Sequence, residues 1–427
     1  MKTIRRLLLS LLLPALLLPT LASCGGVERA DDFIETEYAG STLYVYNWGE
    51  YISDGSDGSL DVIRRFEELY GIEVRYDYYS TNEELYAQLS SGASYDVIFP
   101  SDYMIERLRK EEMLQPLDYA SIPNYRYIDE RYKGQFFDPE DLYTVPYSVG
   151  MIGIVYNKTM VPEVDKNDPS TMTWDLLWSD AYSAAEKINF NNPRDAFGVA
   201  MLSLGLDLNT TDPADWQAAY EKLSRQSCIY LMDEIYNKME NGAAAMAAYY
   251  AGDCLSMMQV NEDLDFFYPS EGTNIFIDSM CIPTSAKNKG AAELFINYML
   301  DPDIATANAN YICYASPNTA VLTNENYDYA VGTEYFDILY TMPDSYEGRA
   351  DATQYYHFLD DTTQRTLNRL WAQLGVDPGE GGNYIGTYIF MGAVLLLLVG
   401  GSAYMIYDAV KRAKLEKLRK QRKKRKI

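Results

Sequence analysis

The chain has 427 residues, 48% hydrophobic and 14% aromatic, with 39 tyrosines, one histidine and a formal net charge of −26. That length exceeds one typical domain, and the acidic balance argues against nucleic acid as a partner while concentrating small cations near the surface. With His357 the sole histidine, no repeated His pair can form a catalytic or metal motif, and no G-x-S-x-G or Walker sequence occurs.

Lys2, Arg5 and Arg6 precede a Leu-rich run over 7–21 that stops at Leu21-Ala22-Ser23-Cys24-Gly25. A basic start, an apolar run and small residues before a cysteine predict a lipoprotein export signal over 1–23, with a diacylglyceryl thioether on Cys24 and a linker over 24–41.

The body then opens as strand, helix, strand, helix, strand. Leu43, Val45 and Asn47 alternate with Thr42, Tyr44 and Tyr46, whereas Val62, Ile63, Phe66, Leu69 and Tyr70 recur at helical spacing. Ile72 to Tyr76 reads as the second strand. Thr81 with Glu84 fits a capping box, Val97 to Phe99 forms the third strand, and Ser101 is placed to cap a helix over 104–110. The run Tyr147 to Tyr156, punctuated by Gly150 and Gly153, suits an extended crossover. Helices are predicted at 174–177, 213–224 and 291–300, and extended segments at 254–260 and 275–282. Cys228, Cys254, Cys281 and Cys313 lack C-x-x-C spacing; one or two disulfides and buried free thiols are equally compatible with them.

Asp377-Pro378-Gly379-Glu380-Gly381-Gly382 reads as a linker over 377–383. The uncharged stretch 384–407 follows; a helix over 385–406 would rise about 33 Å, enough to cross a bilayer core. The tail 408–427 carries 11 Lys/Arg and two acids, so the positive-inside rule places it in the cytoplasm against anionic lipid and the body outside the membrane. Setting aside the basic residues of signal and tail, the exported body is near −38.

Two short runs carry the chemistry. Tyr46-Asn47-Trp48-Gly49-Glu50-Tyr51 brings aromatic faces and a carboxylate to one strand end, and Pro100-Ser101-Asp102-Tyr103 follows another apolar run. Aromatic quadrupoles attract ammonium groups by roughly 0.5 to 2 kcal/mol each, and a carboxylate fixes where one charge sits. Ligands of open α/β sheets lie beyond the carboxyl ends of strands, where Trp48 and Ser101 fall.

From about Thr42 to Trp371 the sequence resembles the polyamine-binding proteins, the spermidine/putrescine receptors of bacterial ABC transporters within the periplasmic-binding-protein superfamily. The resemblance rests on the two runs above and on the ordered landmarks Arg109-Lys110, Leu114-Gln115, Val145-Pro146-Tyr147, Pro193-Arg194-Asp195, Ile277 to Pro283, Ala286-Lys287-Asn288-Lys289 and Pro317-Asn318. It implies a two-lobed type II α/β fold with hinge crossovers: 42–150 and 277–322 as one lobe, 151–276 and 323–376 as the other. Site positions carry over to Trp48, Glu50, Tyr51, Ser101 and Tyr103 on one side of the cleft and to Asp195, Phe276, Asp278 and Tyr314 on the other. Asn192 stands where many relatives place a carboxylate, Gln259 where they place a tryptophan, and Glu262 where putrescine binders carry an acid; Leu359 replaces an amide of spermidine binders. The resemblance implies a polyamine ligand, permease subunits with a separate cytoplasmic ATPase as partners, and neither cofactor nor resident metal.

Three alternatives remain at this level. A two-carboxylate hydrolase needs no histidine. A receptor of the same fold could take iron, a sugar or an amino acid, although the matched cleft positions offer no arginine for a carboxylate. A signalling ectodomain would need more than a 20-residue tail to act inside the cell.

Overall fold

The computed structural model describes residues 32–232, 234–333, 335–341 and 353–376. The expected signal over 1–23, Cys24, the span 384–407 and the tail 408–427 lie outside the described residues. Among the described residues no helix is long and apolar enough to cross a membrane.

The first half of the fold starts with β1 (Thr42–Trp48), α1 (Val62–Tyr70), β2 (Glu73–Tyr79), α2 (Asn82–Ser90), β3 (Val97–Ile98) and α3 (Asp102–Lys110). Local chemistry sets these boundaries. Asp61 accepts from the Arg64 amide to start α1, and Gly71 ends it in the left-handed region at φ 65°, where a Cβ is disfavoured. Thr81 caps α2 through the Glu84 amide as expected, but Glu84 reaches back to the Ser80 amide rather than to that of Thr81. Ser101 occupies the N-cap of α3 without making a side-chain capping bond; its hydroxyl instead takes the Asn82 side-chain amide at 3.1 Å. β1 pairs in parallel with both β2 and β3.

The second half contains β5 (Lys187–Phe190), α4 (Pro193–Ser203), α5 (Pro213–Leu223), β6 (Ile229–Leu231), α6 (Ile235–Glu240), β7 (Met246–Tyr250), α7 (Ala251–Val260) and β8 (Leu264–Phe267). Here β5 pairs in parallel with β6 and β7. The predicted helix at 174–177 is a 3₁₀ turn, Trp174–Trp178. The segment 254–260, expected to be extended, is instead the body of α7. Cys254, Leu255 and Met257 are buried while Gln259 and Val260 are exposed, a helical face that a near-continuous apolar run conceals.

Two long strands join the halves: β4 (Thr144–Asn157) and β9 (Thr273–Cys281). Residues 144–151 of β4 pair antiparallel with β9, and residues 152–157 pair antiparallel with β7 and β8, so one strand belongs to both ladders. The register shifts between Pro146 and Ser148, where proline has no N–H to donate, and the shift brings Ser148 opposite Asp278. The chain continues through α8 (Lys289–Met299), α9 (Pro302–Ile312), α10 (Phe336–Tyr340), β10 (Thr353–Tyr355) and α11 (Asp361–Leu374), with β10 pairing in parallel with β9. Cys228, Cys254, Cys281 and Cys313 are all free thiols. His357 packs on Phe136 with ring centres 4.1 Å apart, and its Nδ1 lies 3.7 Å from Glu106.

Candidate ligand-binding site

Asp278 lies on β9, 3% exposed, facing Ser148 of β4 and bridged to Ser101. Its Oδ2 accepts from the Tyr51 hydroxyl at 2.7 Å, and that hydroxyl also shares a short hydrogen bond with Ser148 Oγ. Burial and the Asp278 charge hold the Tyr51 phenol well above its ordinary range, so it remains a donor. Asp278 Oδ1 is buried and has no hydrogen-bond partner among the described residues. Burial pushes the Asp278 carboxyl up to about 6; the Ser101 and Tyr51 hydroxyls oppose the rise, Ser101 without closing a bond of full geometry to Oδ1.

Asp195 stands in the first turn of α4, 6% exposed, and its Oδ2 accepts from the Tyr250 hydroxyl at 2.7 Å. Burial raises it to about 6, against the pull of that hydroxyl and of Arg194. Asn192 caps the same helix, its side-chain oxygen accepting from the Arg194 amide at 2.9 Å.

Aromatic rings fill the space around these acids. Phe276 lies 5.7 Å from Tyr250 and 6.2 Å from Tyr314, while Tyr314 meets Tyr51 edge-on at 5.8 Å. Gly150 lies directly opposite Phe276, and a Cβ there would overlap the ring. Tyr103 donates to Glu83 at 3.2 Å and meets Tyr356 edge-on at 6.4 Å. Trp48 is half-buried, its indole N–H donating to the Phe99 carbonyl at 2.9 Å. The fold thus gathers Tyr51, Ser101, Phe276, Asp278 and Tyr314 into one contiguous group, with Asp195 reached through Tyr250; contrary to the expected division of the cleft, Asp278 and Tyr314 lie with the first half, since Asp278 pairs with Ser148 and bridges Ser101, and Ala315 pairs with Val149.

Other sequence-predicted positions lie apart. Glu50 is exposed beyond the end of β1 at φ 52°. Gln259 donates to the Tyr329 hydroxyl at 2.8 Å near the end of α7, and Glu262 is exposed past that helix. Leu359 is buried core. Conversely, the sequence reading passed over Tyr250, Tyr356 and Arg194. Tyr250 closes β7, a strand carboxyl end of the kind that led to Trp48 and Ser101. Arg194, which is not among the matched cleft positions, stands beside Asp195 in the first turn of α4. It is 8% exposed, its guanidinium lies 4.4 Å over the Tyr356 ring, and Nη2 donates to Asn209 at 3.0 Å.

The family model described as "Bacterial extracellular solute-binding protein" matches residues 61–333. The chain belongs to that family. Within the solute-binding proteins it is 34% identical over 285 residues to the spermidine/putrescine-binding periplasmic protein of Salmonella typhimurium, spanning 65% of this chain and 78% of that protein. It is 28% identical over 382 residues to a putrescine-binding periplasmic protein of Pseudomonas aeruginosa, covering 84% and 97%. The solved spermidine/putrescine ABC transporter substrate-binding protein of Streptococcus pneumoniae superposes with a TM-score of 0.62 at 30% identity, covering 78% of this chain and 98% of that one. The α/β fold is that of periplasmic binding proteins, and the family is one of solute receptors rather than enzymes.

Proposed function

We propose that this solute-binding protein captures polyamines such as putrescine and spermidine outside the cytoplasm and delivers them to the permease subunits of an ABC importer with a separate ATPase. The observation that carries the reading is Asp278: a buried carboxyl among rings with one oxygen unpartnered. An ammonium there supplies a charge-assisted hydrogen bond to that oxygen, and each methylene laid against Phe276, Tyr314 or Tyr51 adds roughly 0.8 kcal/mol on burial. Asp195, on the far side of Tyr250, is available for a second nitrogen. The lobes are 42–150 with 277–322 and 151–276 with 323–376, closing about β4 and β9. Trp48, Ser101 and Tyr103 belong to the cleft wall in this reading, and Glu50, Asn192, Gln259 and Glu262 to its periphery. Cys24 and the stretch 384–407 tether the body to the membrane, with the tail 408–427 inside.

Arg194 favours a second reading, a receptor for a solute carrying a carboxylate beside its amine. Two of its buried guanidinium nitrogens, Nε and Nη1, lack partners among the described residues. Calorimetric titration of the full-length protein in detergent with putrescine, spermidine, spermine, ornithine and a neutral sugar tests both. Heat from the simple amines alone supports the first reading, heat from ornithine alone supports the second, and heat from the sugar alone defeats both.

A further inference from the structure

Residues 32–41 form a strap on the first half. Asp32 pairs with Arg65 of α1, the Ile34 amide donates to the Leu69 carbonyl at 2.7 Å, and the Gly40 amide donates to the Gly71 carbonyl at 2.7 Å. The Tyr38 hydroxyl seats on Gly290 in the first turn of α8, leaving no room there for a Cβ. The strap therefore joins the body at the amino ends of β1 and β2, the opposite end from Trp48. The other end of the described chain belongs to the second half. There α11 packs on α4 and α5, Trp371 meets Tyr230 of β6 edge-on at 5.6 Å, and Gly375 closes the helix in the left-handed region at φ 67°. β2 and β6 are the two ends of the strand order, so the chain leaves the body from opposite edges of the sheet.

Strand register gives the separation of the two exits. Tyr46 of β1 is level, through Ile98 and Cys281, with Thr144 of β4, so Thr42 lies four residues further out on the side away from the second half. Ile229, beside Tyr230, is level through Ile188 and Ala247 with Val155 of β4, eleven residues beyond Thr144. At about 3.3 Å per residue the exits stand roughly 50 Å apart along the strands. The tethers are shorter than that. Eight residues separate Cys24 from Asp32, and nine separate Gly375 from the start of the apolar stretch at 384, so each reaches at most about 30 Å. We infer that each half of the body carries its own membrane tether, and that the pair lays the body along the bilayer so that both halves face it. A body standing on either end would lift its upper exit beyond the reach of that tether. The inference rests on the proposed tethering by Cys24 and 384–407, which lie outside the described residues.

The test uses the full-length lipidated protein in liposomes, with a protease site placed within 377–383. Glu73→Cys in the first half and Glu221→Cys in the second, both at exposed positions, carry a fluorescent donor in a Cys228→Ser background, and the lipid headgroups carry the acceptor. Energy transfer should be strong from both positions in the parent. Cys24→Ser should lower transfer from Glu73→Cys by about half or more and spare Glu221→Cys, and cutting the linker should do the reverse, because a half freed from its tether swings away from the surface. Little transfer from either position in the parent, or a loss shared equally by both positions after removal of one tether, overturns the inference. Flotation of the liposomes separates that result from failure of the tethering reading. Body that stays bound after either single change and leaves only after both shows two working tethers, so that a transfer result against the expectation then sinks the orientation alone. Release after the linker cut alone, or retention after both changes, removes the two tethers and the inference with them.

Discussion

The Tyr51 hydroxyl donates to one oxygen of Asp278 at 2.7 Å, while the other oxygen, equally buried, has no hydrogen-bond partner among the described residues. A half-satisfied buried carboxyl is costly alone and a strong trap for a cation that reaches it. Asp278→Asn keeps the shape and removes the charge. Calorimetry should show loss of roughly 3 to 5 kcal/mol for spermidine and putrescine alike, about two to three and a half decades in affinity; retained affinity removes Asp278 from the site.

The acidity of the same group gives a pH signature. Asp278 and Asp195 are both raised to about 6 by burial, above the ordinary carboxylic value near 3.8. Between about pH 4 and 6 the folded protein therefore holds more protons than the unfolded chain, so ligand-free stability falls as pH rises through that window. A cationic ligand needs the charged form, so its affinity should rise over the same interval. Thermal unfolding with and without putrescine should show a larger ligand-induced shift in Tm at pH 7.5 than at pH 5; an equal or reversed shift contradicts it.

Gly150 leaves room for the Phe276 ring on the paired strand. Gly150→Ala should force the ring aside, lower stability by about 1 to 3 kcal/mol in denaturant titration, and weaken polyamine binding in parallel. Full affinity with lowered stability would separate Phe276 from the ligand.

Tyr250 and Glu262 make a contrasting pair. Tyr250→Phe removes the hydroxyl that holds Asp195 and should weaken binding by about 1 to 3 kcal/mol, the range for hydrogen bonds to carboxyl groups. Glu262→Gln, on an exposed position beyond α7, should change putrescine and spermidine affinity by less than about threefold, as exposed charges contribute little. A selective loss of putrescine in Glu262→Gln restores that residue as a chain-length selector.

Cys24 can be tested in cells. Metabolic labelling with a radioactive fatty acid should mark the parent protein and leave Cys24→Ser unmarked; label on both places the lipid elsewhere.

Much of the fold is legible in the sequence because periodicity and caps act locally. Alternation marks β1, the apolar spacing of 62–70 marks α1, and Thr81 starts α2 where its hydroxyl predicts. The candidate site is legible where a family motif follows a strand end, as at Tyr51 and Ser101, and where one lies within β9, as at Asp278. Local pattern fails at α7, whose apolar run carries no clear period. Nor does sequence show that Ser101 forgoes its capping bond for Asn82, or that Arg194 lies over Tyr356, because both depend on residues distant in the chain.

The strand β4 lends consecutive residues to two ladders without a break. Heating one half to its melting point strips partners from a strand the other half needs, so the body should lose structure in one cooperative event. Any movement between the halves would have to pass through twisting and bending of continuous backbone, along which the register shift beside Pro146 lies next to Ser148 and Asp278.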